Sequence, residues 1–97
     1  MKVQNMTSSR GNKIANQFII TDSNPLSGSN TRTFQSYSSI IAVETRLDGR
    51  LPTIQLDSTY WDYSVTTGKY RNQFLGETKK ETQAKIDSGE YILTDLN

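Results

Sequence analysis

The sequence predicts an α+β fold: a small antiparallel sheet of five or six strands, with two short helices before the last strand. Three observations support this prediction. Short β-forming runs alternate with turn residues through the N-terminal half, two helix-capping patterns follow, and a short apolar run comes near the end of the chain. A series of strands followed by helices is typical of α+β domains, whose helices pack on one side or edge of the sheet.

The first hairpin is predicted from two β-forming runs around a polar turn. Residues 2–6 form the first strand, residues 7–12 the turn and residues 13–21 the return strand. The turn contains Gly11 and Asn12, which adopt positive φ at low cost. Residues 22–31, rich in Ser, Asn, Pro and Gly, are predicted to form an exposed loop and a candidate mobile segment.

Three more strands are predicted before the helices. Residues 33–37 alternate in polarity, and residues 40–45 are a more apolar run. Asp48 and Gly49 form a strong hairpin signal, which leads into a strand at residues 52–56. The proline at the start of that strand is expected to open it or to lie at an edge, because proline donates no backbone hydrogen bond.

The predicted helices have identifiable ends. The first ends at Leu75, before Gly76 in a helix-stopping position, and its candidate N-caps are Ser64, Thr66 and Thr67. The second opens with the capping-box spacing of Thr78 and Glu81. Residues 91–94 are predicted to be the last strand.

The composition excludes several classes of protein. The chain has 97 residues, no cysteine and no histidine, with 11 basic and 10 acidic residues. A disulfide scaffold, a Cys/His zinc site and a Cys- or His-dependent catalytic dyad are therefore excluded. No run approaches the length of a membrane span, and the N-terminus lacks a secretory pattern. We expect a single domain over residues 1–97, located in a cytoplasm, with no cofactor and no membrane partner.

An enzymatic function is not expected. The only grouped acids are Glu44, Asp48, Asp57 and Asp62, and they fall in or near predicted turns, where acids are common. Acid–base catalysis or carboxylate-only metal binding needs two or three such groups to converge in a pocket. A chain this short has few residues that could form the walls of such a pocket.

Two binding hypotheses remain open from the residues alone. Aromatic and basic side chains dominate protein-binding hot spots, and the candidates here are Tyr60, Tyr63, Lys69, Tyr70 and Arg71, together with the 22–31 loop. The same aromatic side chains, and Trp61 above all, are also the large residues that a small core needs. The second hypothesis is nucleic-acid binding, which requires Arg10, Lys13 and Arg32 to meet Lys69 and Arg71 on one face.

Three blocks of sequence resemble a family of small domains of unknown function encoded by tailed phages and prophages, notably phages of gut bacteria. The blocks are residues 6–12 with 16–18 (MTSSRGN…NQF), residues 34–42 (FQSYSSIIA), and residues 61–75 (WDYS…TT…KYR…FL). The terminal segment around residues 85–91 fits the same pattern, and only the 22–31 loop departs from it. The resemblance identifies no catalytic or binding residue.

The resemblance implies a biological setting. Small phage proteins without enzyme-like residues often bind and block a host protein, and anti-CRISPR proteins are a prominent class. On this basis we expect a non-enzymatic inhibitor of a host factor, such as a CRISPR effector, acting in the bacterial host cytoplasm. The alternatives are a nucleic-acid-binding protein of phage replication and a virion or assembly protein, the last of which predicts a homo-oligomer.

Overall fold

The computed structural model describes residues 1–97 and contains one six-stranded sheet with two helices. The elements, in chain order, are β1 (Lys2–Thr7), β2 (Lys13–Asn24), β3 (Ser29–Ser36), β4 (Ser39–Leu47), β5 (Thr53–Asp57), α1 (Val65–Leu75), α2 (Lys79–Asp87) and β6 (Tyr91–Thr94). The spatial order of the strands follows their order in the chain, from β1 to β6. The predicted α+β class, strand number and helix positions are confirmed.

Neighbouring strands from β1 to β5 are antiparallel, whereas β6 lies parallel to β5. The sheet is therefore mixed, where a purely antiparallel one was expected. The difference follows from the connection, because α1 and α2 carry the chain back to the end of the sheet at which β5 begins.

The segment predicted as an exposed loop is largely strand. β2 continues to Asn24 and β3 begins at Ser29, so the turn between them has only four residues, Pro25 to Gly28. Asp22 pairs with Thr31, and the pairing continues to the turn. The sequence did not predict strands here because the side chains of this extension are polar. A protruding hairpin can complete its hydrogen-bond ladder without any buried side chain.

Both helix ends agree with the capping signals. The Ser64 side chain accepts a hydrogen bond from the Thr67 N–H, and Gly76 ends α1 in the left-handed conformation. Thr78 and Glu81 form the predicted reciprocal capping box of α2. Neither helix is long and apolar enough to cross a membrane.

Both helices contact the same face of the sheet. The ring of Phe74 on α1 stacks on that of Phe34 on β3, and the Thr67 hydroxyl bonds the Ser36 hydroxyl at 2.8 Å. The apolar core between these layers consists of Met6, Phe34, Ile41, Ala42, Ile54, Leu56, Tyr70, Phe74 and Tyr91. Six of the fifteen buried residues are polar or charged, so buried hydrogen bonds hold much of this layer together.

Candidate functional site

The structure separates the five residues predicted to bind a partner. Tyr70 and Arg71 are buried, and only 1% of Arg71 is exposed. Tyr63 is 63% exposed and Lys69 is also exposed, while Tyr60 is half-buried. Tyr70 and Arg71 therefore offer almost no surface to a partner in this structure, and Tyr63 is the most exposed aromatic residue of the five.

Arg71 instead ties the segment before α1 to the helix. Its guanidinium donates to the Trp61 carbonyl at 2.8 Å, to Asp62 at 3.2 Å and to Asn72 at 2.9 Å, and it lies 5.2 Å from the Trp61 ring centroid. Lys79 lies 2.6 Å from Asp62, and these two cations hold the pKa of that carboxyl below its usual value. We call Trp61, Asp62, Tyr70, Arg71 and Phe74 the Arg71 cluster. The contacts of the Arg71 cluster are within the protein, so we interpret the cluster as a structural element of the fold.

The segment that carries Tyr63 is ordered from its start by Asp57. One carboxylate oxygen accepts the N–H groups of Thr59 and Tyr60, and the other accepts that of Leu96. Burial acts to raise the pKa of Asp57, but these donors outweigh it and the pKa is lowered. The Tyr60 ring then supports Tyr63 edge-on, with 5.4 Å between the ring centroids.

A second exposed tyrosine, Tyr37, lies in the turn between β3 and β4. Its φ of 56° is in the left-handed region, which is unusual for a bulky residue. Two hydrogen bonds fix it there: its N–H donates to the Asn16 carbonyl at 2.7 Å, and its carbonyl accepts from the Gln35 side chain at 2.8 Å. Backbone strain of this kind persists only where the surrounding structure enforces it, and it is often found at functional sites.

Tyr37 and Tyr63 border a shallow groove of about 380 Å³. Its other lining residues all carry hydroxyl groups, and they are Ser36, Ser38, Ser39, Ser64 and Thr66. We call these seven lining residues the tyrosine groove. Its walls are the β3–β4 turn and the N-terminus of α1. Val65, the first residue of α1, is next to this lining in the chain and is 92% exposed.

Sequence reasoning missed Tyr37 as a site residue. The alternation of residues 33–37 placed it on the sheet, and a left-handed turn is normally indicated by glycine or asparagine. The available signal was the Ser38-Ser39 pair, which interrupts two β-forming runs and marks a turn at this point.

The structure does not bring the predicted nucleic-acid-binding residues together. Arg10 lies in the β1–β2 turn and Lys13 starts β2, whereas Arg32 pairs with Thr21 much farther along β2. Arg32 is also engaged, because its guanidinium bonds Glu44 at 3.2 Å and lies 4.6 Å from the Phe74 ring centroid. With Arg71 buried, no face collects the basic residues that this hypothesis requires.

The acids considered for catalysis do not converge. Asp57 accepts backbone N–H groups, Asp62 pairs with Arg71 and Lys79, and Glu44 pairs with Arg32 and Arg46. No group of three or more Asp and Glu side chains is arranged to hold a metal ion. These carboxylates are therefore occupied in organising the fold.

One further polar cluster joins α2 to the last strand. The buried Glu77 carboxylate accepts from the Tyr91 hydroxyl, from Thr82 at 3.0 Å and from Lys85 at 3.2 Å. Burial, together with the carboxylate, raises the pKa of Tyr91 to about 12. The same carboxylate raises the pKa of Lys85. The Glu77 carboxylate is paired with all three of these groups, so we assign this cluster to stability.

Fold and site together define a small α+β domain with an exposed, tyrosine-bordered groove. The chain belongs to a family of unknown function, DUF8033, whose model matches residues 1–90. No curated protein and no solved structure matches the chain.

Proposed function

We propose that this protein is a non-enzymatic binding module that contacts a partner protein through the tyrosine groove. The observation that carries the proposal is the pair of exposed tyrosines, Tyr37 and Tyr63, on either side of a hydroxyl-lined groove. Tyrosine is among the residues most enriched at interface hot spots.

The chemistry of the groove is that of a protein-recognition surface. Tyrosine offers a large amphipathic contact area with few rotatable bonds, and serine offers adaptable hydrogen bonds, which is the combination that antibody paratopes use. Here the tyrosine backbones are fixed before binding, by Asn16 and Gln35 for Tyr37 and through the Asp57-ordered segment for Tyr63. Fixing them in advance lowers the entropy cost of binding.

The biological partner is proposed from the sequence resemblance. The phage-like motifs and the small size support a phage-encoded protein that acts in the bacterial host cytoplasm and inhibits a host factor, such as a CRISPR effector. This step rests on analogy with other small phage proteins. Nothing in the groove selects among host proteins, so the target has to be found by experiment.

The test is an affinity pull-down from host lysate, with and without nuclease, using tagged wild-type protein and a groove variant. The variant combines Tyr63→Ala with Tyr37→Asn, because asparagine tolerates left-handed backbone. The matched control combines Leu26→Ala and Leu51→Ala, two exposed residues in turns at the opposite end of the sheet.

The proposal expects one host protein that survives nuclease, is retained by the wild type and the control, and is lost with the groove variant. If the groove variant retained the host protein as well as the wild type does, the binding site would have to lie outside the groove. Loss of all partners after nuclease would replace the proposal with nucleic-acid binding.

A further inference from the structure

The sheet face opposite the helices carries rows of side chains that no helix covers. Because side chains alternate between faces, the register fixes which residues share it. One row crosses all six strands and consists of Val3, Ile20, Thr33, Val43, Gln55 and Ile92. Two shorter rows flank it, Asn5–Phe18–Gln35–Ile40 and Asp22–Thr31–Thr45–Thr53. We call these three rows the open face.

The apolar residues of the open face are concentrated in its central row and in the neighbouring Phe18 and Ile40, whereas the other eight of its fourteen residues are polar. An antiparallel sheet covered on one side normally presents polar side chains on the other. Six of the residues here are aliphatic or aromatic, and Asp22, at a corner, is the one charged residue in the three rows. Its carboxylate lies 3.7 Å from the N-terminal ammonium group. The charged strand residues Arg32, Glu44 and Arg46 lie on the helix side instead.

The total surface area is larger than that of an average monomer of this size, and both the protruding β2–β3 hairpin and the open face contribute to it. The chain exposes 6259 Å², whereas a monomer of 11.0 kDa is expected to expose about 5,600 Å². The excess, about 650 Å², is most of the roughly 800 Å² that each partner contributes to a standard interface. The open face is also about 24 Å wide from β1 to β6, which is wide enough for sheet-on-sheet packing.

We infer that the open face is a self-association surface, and that two copies of this chain pack face to face as a two-fold symmetric sandwich of sheets. A two-fold interface must be complementary to itself. A face whose one charged residue, Asp22, lies at a corner meets that condition because the apolar central row can meet its own copy without bringing like charges together. Nucleic acid or an anionic membrane surface would require basic residues, which the three rows lack.

The first test is sedimentation velocity on purified wild-type chain over about 5–200 µM, the range in which a moderate dimer dissociates. The variant is Thr33→Lys, at the centre of the open face, where a two-fold axis would bring two lysines close together. The matched control is Val65→Lys, which adds the same charge at an exposed position on the helix side. We expect a wild-type dimer, a control dimer and an association constant reduced by at least about tenfold in Thr33→Lys.

A second test does not depend on the Lys variant folding. The chain has no cysteine, so a single Thr33→Cys substitution gives an unambiguous cross-linking site. Mild oxidation is expected to yield a disulfide-linked dimer from Thr33→Cys, and little from Ser27→Cys in the exposed β2–β3 turn. A monomeric wild type across the concentration range would overturn the inference. So would a dimer that Thr33→Lys leaves intact, or equal cross-linking of the two Cys variants.

Discussion

The Arg71 cluster and the tyrosine groove use similar residues for opposite purposes. Both lie around the start of α1, and both combine aromatic rings with hydrogen-bonding groups. In the cluster, Tyr70, Arg71 and Phe74 are buried, the Arg71 guanidinium bonds Trp61 and Asp62, and the Phe74 ring stacks on Phe34. In the groove, Tyr37 and Tyr63 remain half to two-thirds exposed, although the Tyr37 backbone is hydrogen-bonded and the Tyr63 ring contacts that of Tyr60.

The difference shows that residue type alone does not separate core from interface in a chain this polar. Tyr63 and Tyr70 are seven positions apart, and Ser64 caps α1 between them. Tyr63 precedes this cap and is exposed, whereas Tyr70 and Arg71 lie on the buried side of the helix that follows it. Substitutions in the cluster should therefore lower the free energy of unfolding, whereas substitutions in the groove should weaken binding to a partner.

The largest effect is expected from Arg71→Ala. The substitution removes three hydrogen bonds and a cation–π contact from a buried position, and it leaves the Trp61 carbonyl without its donor. We expect the free energy of unfolding to fall by about 3 kcal/mol, a large part of the total for a domain of this size. Urea denaturation followed by circular dichroism measures it. Lys69→Ala, on the same helix but exposed, is the control and should change stability by less than about 0.5 kcal/mol.

The next effect concerns alkaline pH and the Glu77–Tyr91 pair. The pKa of Tyr91 is raised to about 12 in the folded protein, against 10.0 for an unperturbed tyrosine. Folding therefore favours the neutral phenol, and that stability is complete below pH 10 and is lost as the pH rises towards 12. Between pH 9 and 11 the wild type should lose about 1 kcal/mol more than Tyr91→Phe, which has no phenol to ionise. Parallel alkaline curves for the two proteins would contradict this assignment.

A stabilising substitution is expected at Gln17. This side chain is fully buried on the covered face, beside Ser36, and neither its oxygen nor its nitrogen has a hydrogen-bond partner. Replacing an unpaired buried amide with an apolar group of similar shape removes its desolvation cost. Gln17→Met should raise the free energy of unfolding by about 1 kcal/mol, measured by the same denaturation. Gln17→Ala, which leaves a cavity, should not reproduce the gain.

Local signals in the sequence determine most of the fold. The Asp48-Gly49 turn, the Ser64 cap, Gly76 and the Thr78–Glu81 box each depend on neighbours a few residues away, and each is predictable from the sequence. The parallel placement of β6 depends on long-range pairing, which has no local signature. The extension of β2 and β3 pairs across a short turn, but its polar side chains lack the apolar alternation that predicts strands. Of the two tyrosines that border the candidate site, the sequence predicted only Tyr63. The position of Tyr37 depends on a hydrogen bond to Asn16, which is distant in the sequence.

The smallest effect on stability, and the sharpest test of the comparison, is expected from Tyr37→Gly. Glycine adopts the left-handed conformation at φ 56° without strain, and this relief offsets both the missing packing of a half-exposed ring and the larger entropy of the unfolded chain. We expect the free energy of unfolding to change by less than about 0.5 kcal/mol. Binding to a partner retained in the pull-down should weaken by at least about tenfold, because the ring that borders the groove is gone. A large decrease in stability would show that Tyr37 serves the fold, as the residues of the Arg71 cluster do. Unchanged stability with abolished binding would show that its strained position serves recognition.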